Sequence, residues 1–102
     1  MKAIVCEQPG QLRMKEMDPP ILRPGEALVR IRRIGICGTD LHAFKGEQPY
    51  FTYPRILGHE LSGEIAELSD TTCGFKGGDP VAIIPYIECG KCIACRQGKT
   101  NC

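Results

Sequence analysis

The chain lacks any charge imbalance. Thirteen Lys and Arg against twelve Asp and Glu leave a formal net charge of +1 over 102 residues, which removes the electrostatic case for binding nucleic acid or an anionic membrane. Long apolar runs are missing too: stretches such as Val81-Ala82-Ile83-Ile84 fall far short of the ~20 residues of a membrane span. The opening Ala3-Ile4-Val5-Cys6 is too short for the core of a signal peptide, so a reduced, cytoplasmic protein is expected. No internal repeat, low-complexity tract or amphipathic helix longer than two turns is legible. Gly-x-Gly-x-x-Gly is also absent, so no dinucleotide-binding fold is expected within these residues. What remains is ordinary: 42% apolar and 25% charged residues, the composition of one globular domain.

Cysteine is abundant. Of seven, three stand in Cys89-Gly90-Lys91-Cys92-Ile93-Ala94-Cys95, and Cys102 is the last residue. A two-residue gap lets a tight turn aim two sulfurs at one point about 2.3 Å away, and Gly90 eases that turn. Four such ligands make a closed thiolate cage for zinc, structural rather than catalytic because no position is left open. A pair of disulfides is the alternative, weakened by the odd cysteine count and the missing export segment. A thioredoxin-like redox motif lacks its βαβ surroundings. Most domains finish in a dispensable tail, whereas this chain stops on an expected ligand. A fragment is therefore expected, rather than a cut gene model.

Strand and turn signals alternate along the chain. Ala3–Cys6 and Leu12–Met17 predict two antiparallel strands around Gln8-Pro9-Gly10, the second half-buried by its alternation of apolar and charged residues. Asp18-Pro19-Pro20 ends it, and Arg23-Pro24-Gly25-Glu26 makes a further turn. Ala27–Ile36 predicts a long strand with Val29 and Ile31 on one face and Arg30 and Arg32 on the other. Cys37 follows directly, and Gly38-Thr39-Asp40 predicts a helix start. Residues 46–54, with Tyr50, Phe51 and Tyr53, predict a loop shaping a cleft. Leu61–Leu68 and Asp79–Pro85 predict further strands, the latter entered through Gly77-Gly78. Several short strands separated by turns argue for a small, mostly β barrel, with the cysteine lobe as an excursion.

Cys37 and His59-Glu60 form a second constellation. A catalytic zinc takes three mixed S, N and O ligands and keeps one position open. Cys37 and His59 can supply two, and Glu60 a third, directly or through bound water. Spacing alone leaves the alternative open that Cys37 is a small buried hydrophobe and His59 a hydrogen-bonded core residue.

Gly35-Ile36-Cys37-Gly38-Thr39-Asp40-Leu41-His42, then Gly58-His59-Glu60 with Gly63, then Gly78-Asp79-x-Val81, then the cysteine lobe, together resemble the zinc-dependent medium-chain alcohol dehydrogenases. The resemblance covers nearly the whole chain. Gln48-Pro49-Tyr50-Phe51-Thr52-Tyr53-Pro54-Arg55 and Cys-Gly-Thr-Asp are most similar to the polyol and sugar-acid branch. It implies an N-terminal GroES-like catalytic domain over residues 1–102, partial, with a cysteine lobe at 88–102 and the cofactor-binding domain absent. Cys37, His59 and Glu60 then match the catalytic metal site, and Cys89, Cys92, Cys95 and Cys102 the structural one. Thr39 matches the hydroxyl that accepts the substrate's proton, His42 the outer member of the relay, and Asp40 the carboxylate behind the zinc-bound imidazole. A helix-cap role for Thr39 and Asp40 can coexist with these.

Three departures stand out. Ser69 occupies a position of small Gly or Ala, a loop variation. Cys73 replaces a usual Val and is expected to pack in the core. The fourth lobe cysteine is expected at 103, one past Cys102, so either Cys102 or a residue beyond it completes the cage. The implied activity is an NAD(P)-dependent oxidoreductase acting on a small-molecule secondary alcohol or polyol, with catalytic and structural zinc. The full-length enzyme is expected to be a homo-oligomer, and this chain alone inactive. A co-chaperonin-like domain would have this length but no reason for Cys37 and His59. A stand-alone zinc-binding interaction module would explain the lobe but not the relay residues.

Overall fold

The computed structural model describes residues 1–99. Strands β1 (Lys2–Gln8) and β2 (Gln11–Glu16) form the expected antiparallel hairpin, with Val5 opposite Arg13 and the turn at Pro9-Gly10. A two-residue strand, β4 (Arg55–Ile56), pairs with the other edge of β1, setting Cys6 opposite Arg55. Strand β2 is exposed at all six positions rather than half-buried, with Leu12 and Met14 54% and 64% exposed. It is the edge strand of a three-stranded sheet, and β1 is its main neighbour.

The second sheet runs β3-β5-β6, all antiparallel: β3 (Ala27–Gly35), β5 (Glu60–Leu68) and β6 (Pro80–Ile83). Alternating Val and Ile place Val29 opposite Ile65 and Ile31 opposite Gly63. Gly63 is fixed by space. A Cβ there would lie 2.3 Å from the Arg30 carbonyl oxygen, a backbone atom that cannot step aside without displacing β3. The expected mostly β architecture is thus organised as two three-stranded sheets among the described residues.

Helix α1 (Gly38–Lys45) begins at Cys37, whose backbone N–H donates to the Asp40 carboxylate at 3.0 Å. It ends in a Schellman motif: left-handed Gly46 donates to the Ala43 carbonyl, and Glu47 donates to that of His42. The helix is tied to the first sheet, because the Gly10 amide donates to the Phe44 carbonyl at 2.7 Å and Tyr53 Oη donates to that of Ala43. Val5 and Cys6 of β1, Ala43 of α1 and Ile65 of β5 are buried.

These four are the only buried apolar residues among those described. The accessible surface is 8213 Å², against roughly 5,700 Å² for a compact monomer of this mass. Of the aromatic loop, Tyr50 is 92% exposed, but Phe51 and Tyr53 are half-buried. Exposed apolar surface is also carried by residues such as Ile34, Ile36, Ile84 and Ile87. Cys73 is exposed rather than in the core, its thiol donating to the Asp70 carbonyl within a turn-rich segment. Ser69 is more than a loop variation: its Oγ accepts the Glu26 amide and donates to the Glu26 carbonyl, closing the end of the second sheet.

Candidate metal and catalytic site

Register builds the site. Gly35, the last residue of β3, faces Glu60, the first of β5, so Cys37 and His59 leave the same end of the sheet. Helix α1 then carries Thr39 and Asp40 over that end, and β4 delivers His59 from the first sheet through Leu57 and Gly58. Cys37 Sγ lies 3.5 Å from His59 Nε2, which lies 3.5 Å from Thr39 Oγ1; Sγ and Oγ1 are 2.8 Å apart. Asp40 Oδ1 stands 3.5 Å from His59 Nδ1. That contact favours the proton on Nδ1 and leaves the Nε2 lone pair facing the sulfur.

The pair fits zinc. An ion at ~2.3 Å from sulfur and ~2.0–2.1 Å from nitrogen in tetrahedral geometry holds those atoms about 3.5 Å apart, the observed separation. Ligand atoms of Cys37, Asp40 and His59 lie within 4.8 Å of one another. Asp40 already spends one oxygen on the Cys37 amide and turns the other to His59, which suits an orienting role better than a ligating one. Glu60 stands outside this group. Its carboxylate folds over its register partner Gly35, where an added Cβ would meet Oε2 at 2.3 Å.

His42 is exposed on the last turn of α1, with Nδ1 2.6 Å from Glu47 Oε2. The Schellman motif places these two side chains together, a contact usually apolar. The Glu47 carboxyl is held below its ordinary value, first by its hydrogen bond from His42. Sequence reasoning missed Glu47; its signal was a charged residue directly after the glycine that ends the helix. A cavity of about 160 Å³ opens beside the site, lined by Thr39, Phe51, Arg55, Ile56 and His59 among others. Arg55 was likewise assigned no role from the sequence.

The cysteine lobe is a separate cluster. Cys95 Sγ lies 3.9 Å from Cys89 Sγ and 3.4 Å from Cys92 Sγ, bracketing the ~3.8 Å edge of a tetrahedral zinc–thiolate cage. Gly90, at φ 70, makes the turn that lets the Cys92 amide donate to Cys89 Sγ at 3.3 Å. A single-turn helix, α2 (Ile93–Arg96), which the sequence did not suggest, carries Cys95 back to the other two. Backbone donors from Lys91 and Cys92 lower the Cys89 thiol to about 7. All described cysteines are free thiols, without a disulfide. Cys102, the expected fourth ligand, lies outside the described residues.

Two clusters able to hold a metal ion stand on a mostly β scaffold, and the comparisons narrow the class. The family of alcohol dehydrogenase GroES-like domains matches residues 23–102. L-galactonate-5-dehydrogenase of Escherichia coli strain K12 is 49% identical over 102 residues, covering 100% of this chain and 30% of that protein. Zinc dependent alcohol dehydrogenase 2 from Streptococcus pneumonia, solved in the apo form, superposes with a TM-score of 0.80 at 42% identity, over 96% of this chain and 28% of that one. The rspB alcohol dehydrogenase of E. coli CFT073, complexed with NADH, superposes with a TM-score of 0.86 at 37% identity, over 98% and 29%. The chain belongs to the zinc-type medium-chain alcohol dehydrogenases and is a GroES-like domain of that family. It spans about 30% of the length of the curated relatives it matches.

Proposed function

We propose that the chain is the catalytic domain of a zinc-dependent NAD(P) oxidoreductase that oxidises a secondary alcohol of the polyol or sugar-acid type. One observation carries the reading: Cys37 Sγ, His59 Nε2 and Thr39 Oγ1 converge within 3.5 Å, with Asp40 behind the imidazole. Zinc held by Cys37 and His59 would supply Lewis acidity toward the alcohol oxygen, and a nicotinamide on a separate domain would accept the hydride. Thr39 takes the hydroxyl proton and releases its own outward, while the carbon loses hydride and becomes a ketone. Asp40 keeps His59 in the tautomer that presents Nε2. His42, fixed by Glu47, exchanges the proton with solvent. Glu60 is the resemblance's candidate for a third ligand, directly or through water. Cys89, Cys92 and Cys95 would hold a structural zinc, with Cys102 or a residue beyond it as the fourth ligand.

An interaction module built on the lobe alone would not need Thr39 and Asp40 around Cys37. The test is Thr39→Val in the full-length enzyme carrying this domain. Zinc content stays unchanged and turnover falls by ~10²–10⁴-fold, the usual worth of acid–base assistance. Near-normal turnover would assign the proton transfer elsewhere.

A further inference from the structure

We infer that Arg55 reads a carboxylate on the substrate, so that the cavity beside His59 prefers a sugar acid to a neutral polyol. The inference rests on the alcohol-oxidising site proposed above and adds the substrate class to it. Arg55 belongs to β4, the strand that leads into His59, and lines the same cavity as Thr39 and His59. Among the described residues it forms no ion pair. No described carboxylate lies within 4.0 Å of it, the ion pairs being formed by Lys15, Arg32, His42 and His59. Arg55 Nε is buried without a hydrogen-bond partner, and no other described side-chain nitrogen or oxygen shares that condition.

An orphaned charged donor is costly unless something arrives to accept from it. The side chain is nevertheless held in place. Its guanidinium carbon lies 3.7 Å over the Phe51 ring centroid, a contact that restrains the group through its face; with Nε buried, the edge a ligand in the cavity would meet is the one formed by the two terminal amino groups. A planar donor edge of that kind matches a carboxylate through two parallel hydrogen bonds. A hydroxyl has no second acceptor atom in that geometry. Phe51, Ile56 and Leu57 in the same lining are uncharged, and its one carboxylate, Asp40, is engaged by the Cys37 amide and by His59 Nδ1.

The test uses the ¹⁵N-labelled chain loaded with cobalt or zinc, titrated with galactonate and, separately, with its neutral counterpart galactitol. Arg55 Nε–H and the His59 ring report binding, and the cobalt spectrum reports the metal at Cys37 and His59. Galactonate should shift the Arg55 signal saturably and bind on the order of tenfold tighter than galactitol, the worth of a charge-assisted pair. Arg55→Gln should abolish that preference, and Arg55→Lys, which keeps charge but loses the fork, should retain part of it. Equal affinity for both probes, absence of galactonate binding, or a preference that survives Arg55→Gln would overturn the assignment. A chain that fails to bind metal at Cys37 and His59 yet still prefers galactonate would sink the catalytic reading and leave Arg55's role standing. A merely structural Arg55 would alter stability without changing the ratio between the two probes.

Discussion

The two cysteine-bearing clusters are built by opposite means. Cys37 and His59 are 22 residues apart in sequence and meet only because β3 and β5 pair in one register. Cys89 and Cys95 are six residues apart and meet through one turn and a four-residue helix. The first site is made by the fold and stands on a sheet. The second has little besides its own turns, with Cys89 and Cys92 exposed. A metal therefore finds the first site already assembled, whereas in the lobe it supplies much of what holds the segment together.

The strongest way to break this contrast is to remove metal. Chelation should abolish amide protection across residues 88–99 while leaving β3 and β5 protected, because the free energy of zinc binding to small thiolate sites, about 10–16 kcal/mol in zinc-finger peptides, is their folding free energy. Hydrogen exchange reads both regions together. A lobe that stays protected without metal would place it on the same footing as the sheet.

A smaller effect is expected from Gly63→Ala. The new methyl meets the Arg30 carbonyl, pushing β3 from β5 at a cost of about 1–3 kcal/mol. Thermal denaturation should show the loss, and metal affinity should fall at Cys37 and His59 but not in the lobe. Equal weakening of both would mean the sites are coupled.

The mildest test concerns Cys89. Its thiol is lowered to about 7 by backbone donors, so the thiolate is present above that pH and lost as pH falls through it. In the metal-free chain that turn is lost, so alkylation at Cys89 should reach half its plateau rate near the ordinary thiol value of about 8.5. A midpoint near about 7 would show that the turn forms without metal.

The same contrast explains what could be read in the sequence. The lobe was legible because its ligands are neighbours and spacing alone implies the turn. Strands β1, β2, β3, β5 and β6 were legible from alternation and turn residues. Strand β4 and helix α2 are too short to leave a pattern, yet β4 positions both Arg55 and the approach to His59. Spacing offered Cys37 and His59 as a candidate pair but left it open, and only the family resemblance favoured it, since no local rule states the register of two strands so far apart. Burial was the least legible property. Cys73 and the apolar face of β2 looked like core, but in the structure no tight packing forms over either.

Cobalt binding by a chain in which Cys89, Cys92 and Cys95 are all replaced by Ser tests the central claim most directly. With the lobe silenced, the sheet-built site should still take up cobalt with a tetrahedral spectrum and a thiolate charge-transfer band. Either Cys37→Ser or His59→Ala should remove that spectrum. A chain that binds no cobalt once the lobe is silenced, or whose spectrum survives His59→Ala, would contradict the claim that Cys37 and His59 form one preassembled metal site.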